Sequence, residues 1–231
     1  ARLGSIHRNT FIHSPGLLEK KGRYNPNTEF IPNGVDYKAY SNPLPVPPDL
    51  AGIPKPWIGY TGFIKKQLDW DVLSDLTLRH PEWSFVFVGA HHPHKEVLDA
   101  FRRFQGRENI RFLGEKTVRE LEAYPQHFDV CIMPYKNTAY TNYIYPMKLH
   151  EYLAGGRPVV ASRIRSLEKF NDIVKLAETA EEWSLALEDA MKAVESSEDR
   201  VRARRHVASQ YDWDRLTGRI AEIFCRRLGD Q

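Results

Sequence analysis

From residue 57 onward the chain alternates short apolar runs with amphipathic stretches, and this rhythm constrains the fold more than any other feature. "WIGYTGF" (57–63) precedes "LDWDVLSDLTLRH", "WSFVFVGA" (83–90) precedes "HKEVLDAFRRFQ", and "NIRFLG" (109–114) precedes "TVRELEAYPQH". "VCIMPY" (130–135) leads through a loop into "YPMKLHEYLAGG"; "RPVVAS" (157–162) follows at once, and "DIVKLA" (172–177) reads as a short sixth strand. The runs are apolar at successive positions, so both faces of each strand are to be covered by helices. Strand and helix repeated in this order predict an α/β domain with a doubly wound parallel sheet and right-handed crossovers. Three helical segments close the chain, at about 180–195, 198–209 and 213–228.

The first 56 residues follow another pattern. "TFIH" and "TEFIP" read as two strands around the helix "SPGLLEKKGRY", one β-α-β unit and too little for a domain of its own. The proline-rich "SNPLPVPPDLAGIPKP" is extended and stiff, which suits a linker. The expected division is therefore the tail of a preceding domain at 1–40, a linker at 41–56, a complete Rossmann-like domain at 57–210 and a terminal helix at 211–231.

Composition excludes several classes. A net charge of +3 over 231 residues, with no Lys/Arg block, gives no nucleic-acid footprint. No apolar run approaches the ~20 residues of a membrane span. "ARLGSIHRNTF" lacks the apolar core of a signal peptide. Cys131 and Cys225 have no CxxC or zinc spacing, so they read as free thiols in the reducing cytoplasm.

An open parallel sheet binds ligands beyond the carboxyl ends of its strands. After the first strand come Gly62, Lys65 and Lys66; after the third, Gly114, Glu115 and Lys116; after the fourth, the loop "KNTAYTNYIY" and a helix carrying Lys148 and Glu151. This set suits a nucleoside diphosphate. A helix N-terminus offers unpaired N–H groups to phosphate, and Pro146 fits its first turn. Lysine is a compact point charge for phosphate oxygens, and glycine lets the backbone approach a ligand. Glu151, one turn on, can accept two ribose hydroxyls, and Gly155 and Gly156 stop the helix. The plainer readings are solvated loop charges for Lys65 and Lys66 and a surface i,i+3 pair between Lys148 and Glu151.

"PMKLHEYLAGGRPVVAS" resembles the donor-binding signature of GT-B glycosyltransferases similar to family 4, P-x-K-x-x-E-Y-L-A-x-G-x-P-V-V-A. "FIPNGVDYKAY" resembles the end of that family's N-terminal domain. "IGYTGFIKKQLDWDVL" and "NIRFLGEKTVRELEAY" are similar to its first and third C-terminal strands with their helices. "YDWDRLTGRIAEIF" is similar to the terminal helix that packs back toward the N-terminal part. The resemblance implies that residues 57–210 bind a nucleotide-diphosphate sugar as donor substrate, with no cofactor and no metal. Glu151 would hold the ribose, Lys65 or Lys66 would neutralise the diphosphate, and Gly62 with the backbone at Met147–Lys148 would approach the phosphates. The backbone at Gly114–Glu115 would meet the base. It further implies a retaining hexosyltransferase of polysaccharide biosynthesis, acting on a glycan, lipid-linked sugar or small-molecule acceptor. Tyr143 stands where many relatives carry a second glutamate, which leaves the sugar open. The family's N-terminal domain supplies the acceptor site, so this chain alone is expected to be inactive and to need that domain as partner.

Other signals compete. "DWD" at Asp69–Asp71 and Asp212–Asp214 suggests a metal triplet, but helix capping explains it better. "HHPH" (91–94) reads as a solvated loop at the crevice edge rather than a metal site. The basic "VRARRHVASQ" is a solvated or interdomain face, or a peripheral contact with the inner face of the membrane. Trp57, Trp83 and Trp183 read as core. A GT-B nucleotide-sugar 2-epimerase and a non-catalytic binding module are the alternative functions. A dehydrogenase is disfavoured, because no GxGxxG follows the first strand.

Overall fold

A computed structural model describes residues 10–229. The chain opens with β1 (Thr10–Ile12), α1 (Pro15–Lys21) and β2 (Thr28–Phe30); the two strands pair in parallel, Thr10 opposite Thr28. Ser14 starts α1 by accepting a hydrogen bond from the Leu17 N–H at 3.4 Å, with Pro15 next, where no N–H is needed. The short helix α2 (Tyr37–Ser41) is capped by Asp36. Then come β3 (Trp57–Thr61), α3 (Trp70–Arg79), β4 (Ser84–Val88), α4 (Lys95–Arg103), β5 (Ile110–Phe112), α5 (Val118–Leu121), α6 (Tyr124–His127) and β6 (Val130–Met133). The chain continues with α7 (Lys148–Ala154), β7 (Val159–Ser162), β8 (Val174–Ala177), α8 (Ala180–Ala190), α9 (Glu198–Ser209) and α10 (Trp213–Gly229).

The main sheet is all parallel in the order β5-β4-β3-β6-β7-β8. This is the doubly wound arrangement expected from the alternation, and each of the six runs forms a strand. Every residue of β3, β4, β6 and β7 is buried, because helices cover both faces. Trp57, Trp83 and Trp183 are all buried in that core. Strand order reverses between β3 and β6, which opens a crevice at their carboxyl ends.

Three elements differ from the sequence reading. "TVRELEAYPQH" forms two short helices, because Pro125 lacks an N–H and its ring opposes the carbonyl four residues earlier. The helix expected to open at Pro146 begins at Lys148; its first turn is tight, with the His150 N–H on the Met147 carbonyl at 3.0 Å, and Pro146 lies outside it. It ends as expected: Gly156 N–H reaches Leu153 O and Arg157 N–H reaches Tyr152 O, a Schellman pair with Gly156 at φ +78°. The helix expected over 180–195 stops at Ala190, and Ala193–Ser196 forms a separate 3-10 turn.

The proline-rich stretch is fastened down. Leu44 N–H donates to Gln126 at 3.1 Å, and His127 Nε2 bonds the Leu44 carbonyl at 2.9 Å. Asp49 takes the Tyr124 hydroxyl at 2.7 Å and Lys116 at 2.9 Å, and Leu50 is fully buried. The terminal helix lies against the opening β-α-β unit. Val35 exchanges backbone hydrogen bonds with Tyr211 and Trp213, both 3.0 Å, and Phe11 meets Phe224 edge-on at 5.7 Å. Among the described residues no helix is long and apolar enough to cross a membrane.

Candidate functional site

A cleft of about 240 Å³ lies at the carboxyl ends of β3 and β6, walled by Tyr60, Phe63, Lys65, Tyr135, Tyr140, Met147 and Lys148. Glycines end the neighbouring strands beside it. Gly62 ends β3 with φ +99°, and its N–H donates to Val88 O at 2.7 Å. Gly89, at the end of β4, donates to Gly114 O at 2.8 Å, so three neighbouring strand ends are tied in a row. A Cβ on Gly89 would stand 2.4 Å from the Gly62 carbonyl oxygen, and one on Gly62 would stand 2.8 Å from Lys148 Nζ. At Gly89 only glycine permits that approach, and the φ of +99° at Gly62 favours glycine there as well.

Lys148 is the first residue of α7, and its half-buried ammonium sits over Gly62 and 5.0 Å from the centre of the Tyr60 ring. It makes no ion pair within 4.0 Å among the described residues, so the surface pair with Glu151 weighed as a plainer reading does not form. The backbone N–H groups of Lys148 and Leu149 have no acceptor within the helix, as at any helix start. Glu151, one turn on, is half-buried with its charge felt by Tyr40, Tyr60 and Tyr135. Burial pushes its carboxyl above the ordinary 4.5, and Lys148 opposes the shift. The arrangement offers a cation, bare amides and a carboxylate set one turn deeper.

The loop after β3 is pinned on both sides. Ile64 N–H bonds Ala90 O at 2.8 Å and His92 N–H bonds Ile64 O at 2.9 Å, while Asp69 N–H reaches Pro134 O at 2.7 Å. Tyr60 OH donates to the Phe63 carbonyl at 3.0 Å, with Tyr135 beside it. Lys65 thus reaches the cleft from a fixed loop, whereas Lys66 is exposed and lines none of it.

The structure brings Gly62, Lys65, Met147 and Lys148 together, with Glu151 just behind. Gly114 and the exposed Glu115 lie two strands away, linked to Gly62 through Gly89. Tyr143 packs on α1: a Cβ on Gly16 would meet its ring at 2.8 Å, and Lys20 lies 5.3 Å from the ring centre. Sequence reasoning missed Gly89, although it follows its strand as Gly62 does. It also missed Tyr60 and Tyr135, which read as strand core, and Asn33, whose side chain donates to the Tyr145 carbonyl at 2.6 Å. Asp69 caps α3, accepting from the Asp71 and Val72 N–H groups at 3.2 and 3.1 Å. His94 caps α4 in the same way.

A family model described as glycosyl transferases group 1 matches residues 55–195. Over 141 residues the chain is 32% identical to TuaH of Bacillus subtilis (strain 168), a glycosyltransferase assigned to teichuronic acid biosynthesis; the match covers 60% of this chain and 35% of TuaH. The chain therefore spans about a third of that relative. A glycosyltransferase from Rickettsia africae ESF-5 superposes with a TM-score of 0.71 at 15% identity, over 97% of this chain and 65% of that one. A trehalose-6-phosphate structure from E. coli bound with UDP-2-fluoro glucose gives 0.61 at 15% identity, over 85% and 51%. S. aureus TarM in complex with Fondaparinux, alpha-GlcNAc-glycerol and UDP gives 0.63 at 15% identity, over 94% and 43%. At these identities the likeness is one of fold.

Proposed function

The chain belongs to the glycosyl transferases group 1 family, and we propose that its cleft takes the nucleoside diphosphate of a sugar-nucleotide donor, from which a hexosyl-type sugar passes to an acceptor with retained configuration. The observation that carries this reading is Lys148 Nζ lying over Gly62 beside the open amides of α7, with Glu151 one turn behind. As the bond to the sugar breaks, negative charge grows on the leaving diphosphate. A fixed ammonium and oriented N–H groups stabilise that charge without reorganising. Lys148 and Lys65 take this part in place of a metal ion, and Lys66 contributes only long-range charge. Glu151 accepts from the ribose hydroxyls, which return hydrogen bonds to a carboxyl that burial has stripped of water. Gly114 and Glu115 stand at the edge where the base would lie. The likeness to TuaH favours a polysaccharide or its lipid-linked precursor as acceptor.

Calorimetric titration of the chain with UDP, GDP, ADP and dTDP, and with their sugars, tests the reading. One nucleotide is expected to bind selectively. Lys148→Ala should weaken it about tenfold or more, the scale of one charge-assisted phosphate contact. Glu151→Ala should weaken the nucleotide but leave inorganic pyrophosphate unaffected, and Lys66→Ala should change little. Absence of binding to any of the four, or binding indifferent to Lys148, overturns it. Because the chain spans 35% of TuaH, sugar transfer is expected from a longer protein that includes the acceptor half and not from this chain alone.

A further inference from the structure

At the opposite end of the sheet, before β6 and β7, a cavity of about 370 Å³ lies between the turn at Gly155–Pro158, the end of α6 and the start of α9. It opens onto a groove of about 690 Å³ along α9, and Ser196, Val201 and Arg205 belong to both. The cavity wall carries Arg157, Arg205 and His127, and the groove adds Arg202 and His206. Glu195 is the carboxylate on the cavity wall, but it is already shared by Lys175 and Arg200, both 3.1 Å away, and by the fully buried Arg204. His127 holds the Leu44 carbonyl, Arg202 pairs with Asp199 at 3.0 Å, and Glu198 lines the groove, which leaves Arg157 and Arg205 as the wall cations without an ion-pair partner among the described residues.

Arg205 is the least satisfied of these groups. It makes no ion pair among the described residues, and its Nε is buried without a hydrogen-bond partner. Its side chain lies across the glycine turn, with Nε 3.3 Å and Val201 Cγ1 2.8 Å from where a Cβ on Gly156 would stand. Arg157 spends its Nε on the Gln126 carbonyl at 2.6 Å and keeps its terminal nitrogens. A buried guanidinium donor without an acceptor is costly, and a tetrahedral oxyanion is the ligand whose geometry a guanidinium fork matches.

We propose that this cavity binds a phosphate-class oxyanion at the end of the molecule facing away from the cleft. The site is independent of the donor reading: it shares no residue with the cleft. Two sources supply such a group, free phosphate and a phospholipid head group. Val46, two residues beyond Leu44, and Val194, next to Glu195, are both more than half exposed, and apolar tips beside a cationic cavity suit the head group.

The test is a titration of the full chain with inorganic phosphate, followed by amide chemical shifts, together with flotation on phosphatidylglycerol and phosphatidylcholine vesicles. Saturable shifts are expected at His127, Gly155, Gly156 and Ser196, distinct from any at Gly62 and Leu149 in the cleft. Arg205→Gln should weaken phosphate at least tenfold with an unchanged melting temperature. Arg205→Lys should weaken it less, and Arg119→Ala, on the exposed α5, should have no effect. Retention on phosphatidylglycerol alone, lost in Arg205→Gln, identifies the head group as the source; saturable phosphate binding without retention identifies the free anion. No saturable shift at those amides and no retention, or both unchanged in Arg205→Gln, overturns the proposal.

Discussion

Glu151 shows what a single position can and cannot reveal. Its place one turn beyond Lys148 is legible, because helical spacing fixes it. Its surroundings are not legible: Tyr40, Tyr60 and Tyr135 come from three separate stretches that only the folded chain brings near. Their consequence is an energetic one. A carboxyl raised above 4.5 by burial favours folding in its protonated form. Its contribution is present below 4.5 and is lost as pH rises through the raised value. Glu151→Gln is therefore expected to match the wild type in acid and to exceed it in stability at neutral pH. Thermal melts at pH 4 and pH 7 check this. An equal or lower melting temperature for the variant at pH 7 would sink the account. On the donor reading, the more stable variant should also be the poorer nucleotide binder.

At the scale of elements, the sheet was readable because both faces of each strand are buried, so apolar runs stand out whole. The split between α5 and α6 was also written in the chain, at Pro125, but an amphipathic pattern spanning it concealed the break. Gly89 went unnoticed for a different reason: its necessity arises between strands, where the Gly62 carbonyl occupies the space a side chain needs. Gly89→Ala is expected to cost about 2–4 kcal/mol, from backbone strain at φ +141° together with the clash. Gly52→Ala, where φ is +81° but nothing stands within 4 Å, should cost no more than about 1–2 kcal/mol. Chemical denaturation of both separates crowding from conformation; equal losses would mean that the strand ends are not close-packed.

On the scale of the whole molecule, the joint between the opening unit and the sheet centres on His150. The ring is fully buried, bonds Tyr145 OH at 3.0 Å and stacks on Tyr211 at 3.9 Å, with Phe170 against its edge. Lys169 reaches over Phe30, Tyr145, Phe170 and Tyr211, so β2, the loop before α7 and the entry to α10 meet there. Burial, reinforced by the Lys169 charge, holds the imidazole neutral, with its pKa brought down to about 3. Stability from this neutral ring is complete above the ordinary histidine value of 6.5 and is lost as pH falls toward 3. Glu151, raised above 4.5, loses its stabilisation as pH rises, the opposite sense, so the decline from pH 6.5 to 5 should flatten in His150→Gln. Denaturation curves across that window check it, and parallel slopes would refute it. The resemblance of "YDWDRLTGRIAEIF" implied a helix packing toward the N-terminal part, but nothing in the sequence singled out His150 or Lys169 at its centre.

The row Gly62–Gly89–Gly114 also bears on how such a site can diverge. All three stand at positive φ, which disfavours any side chain, and at Gly89 an added Cβ would also strike the Gly62 carbonyl. Drift toward a different base or sugar must then be confined to the rim, where Phe63, Tyr140 and Met147 are exposed. If the proposed donor reading holds, the grip on the diphosphate is the part backbone fixes, and the choice of cargo is the part left free to change.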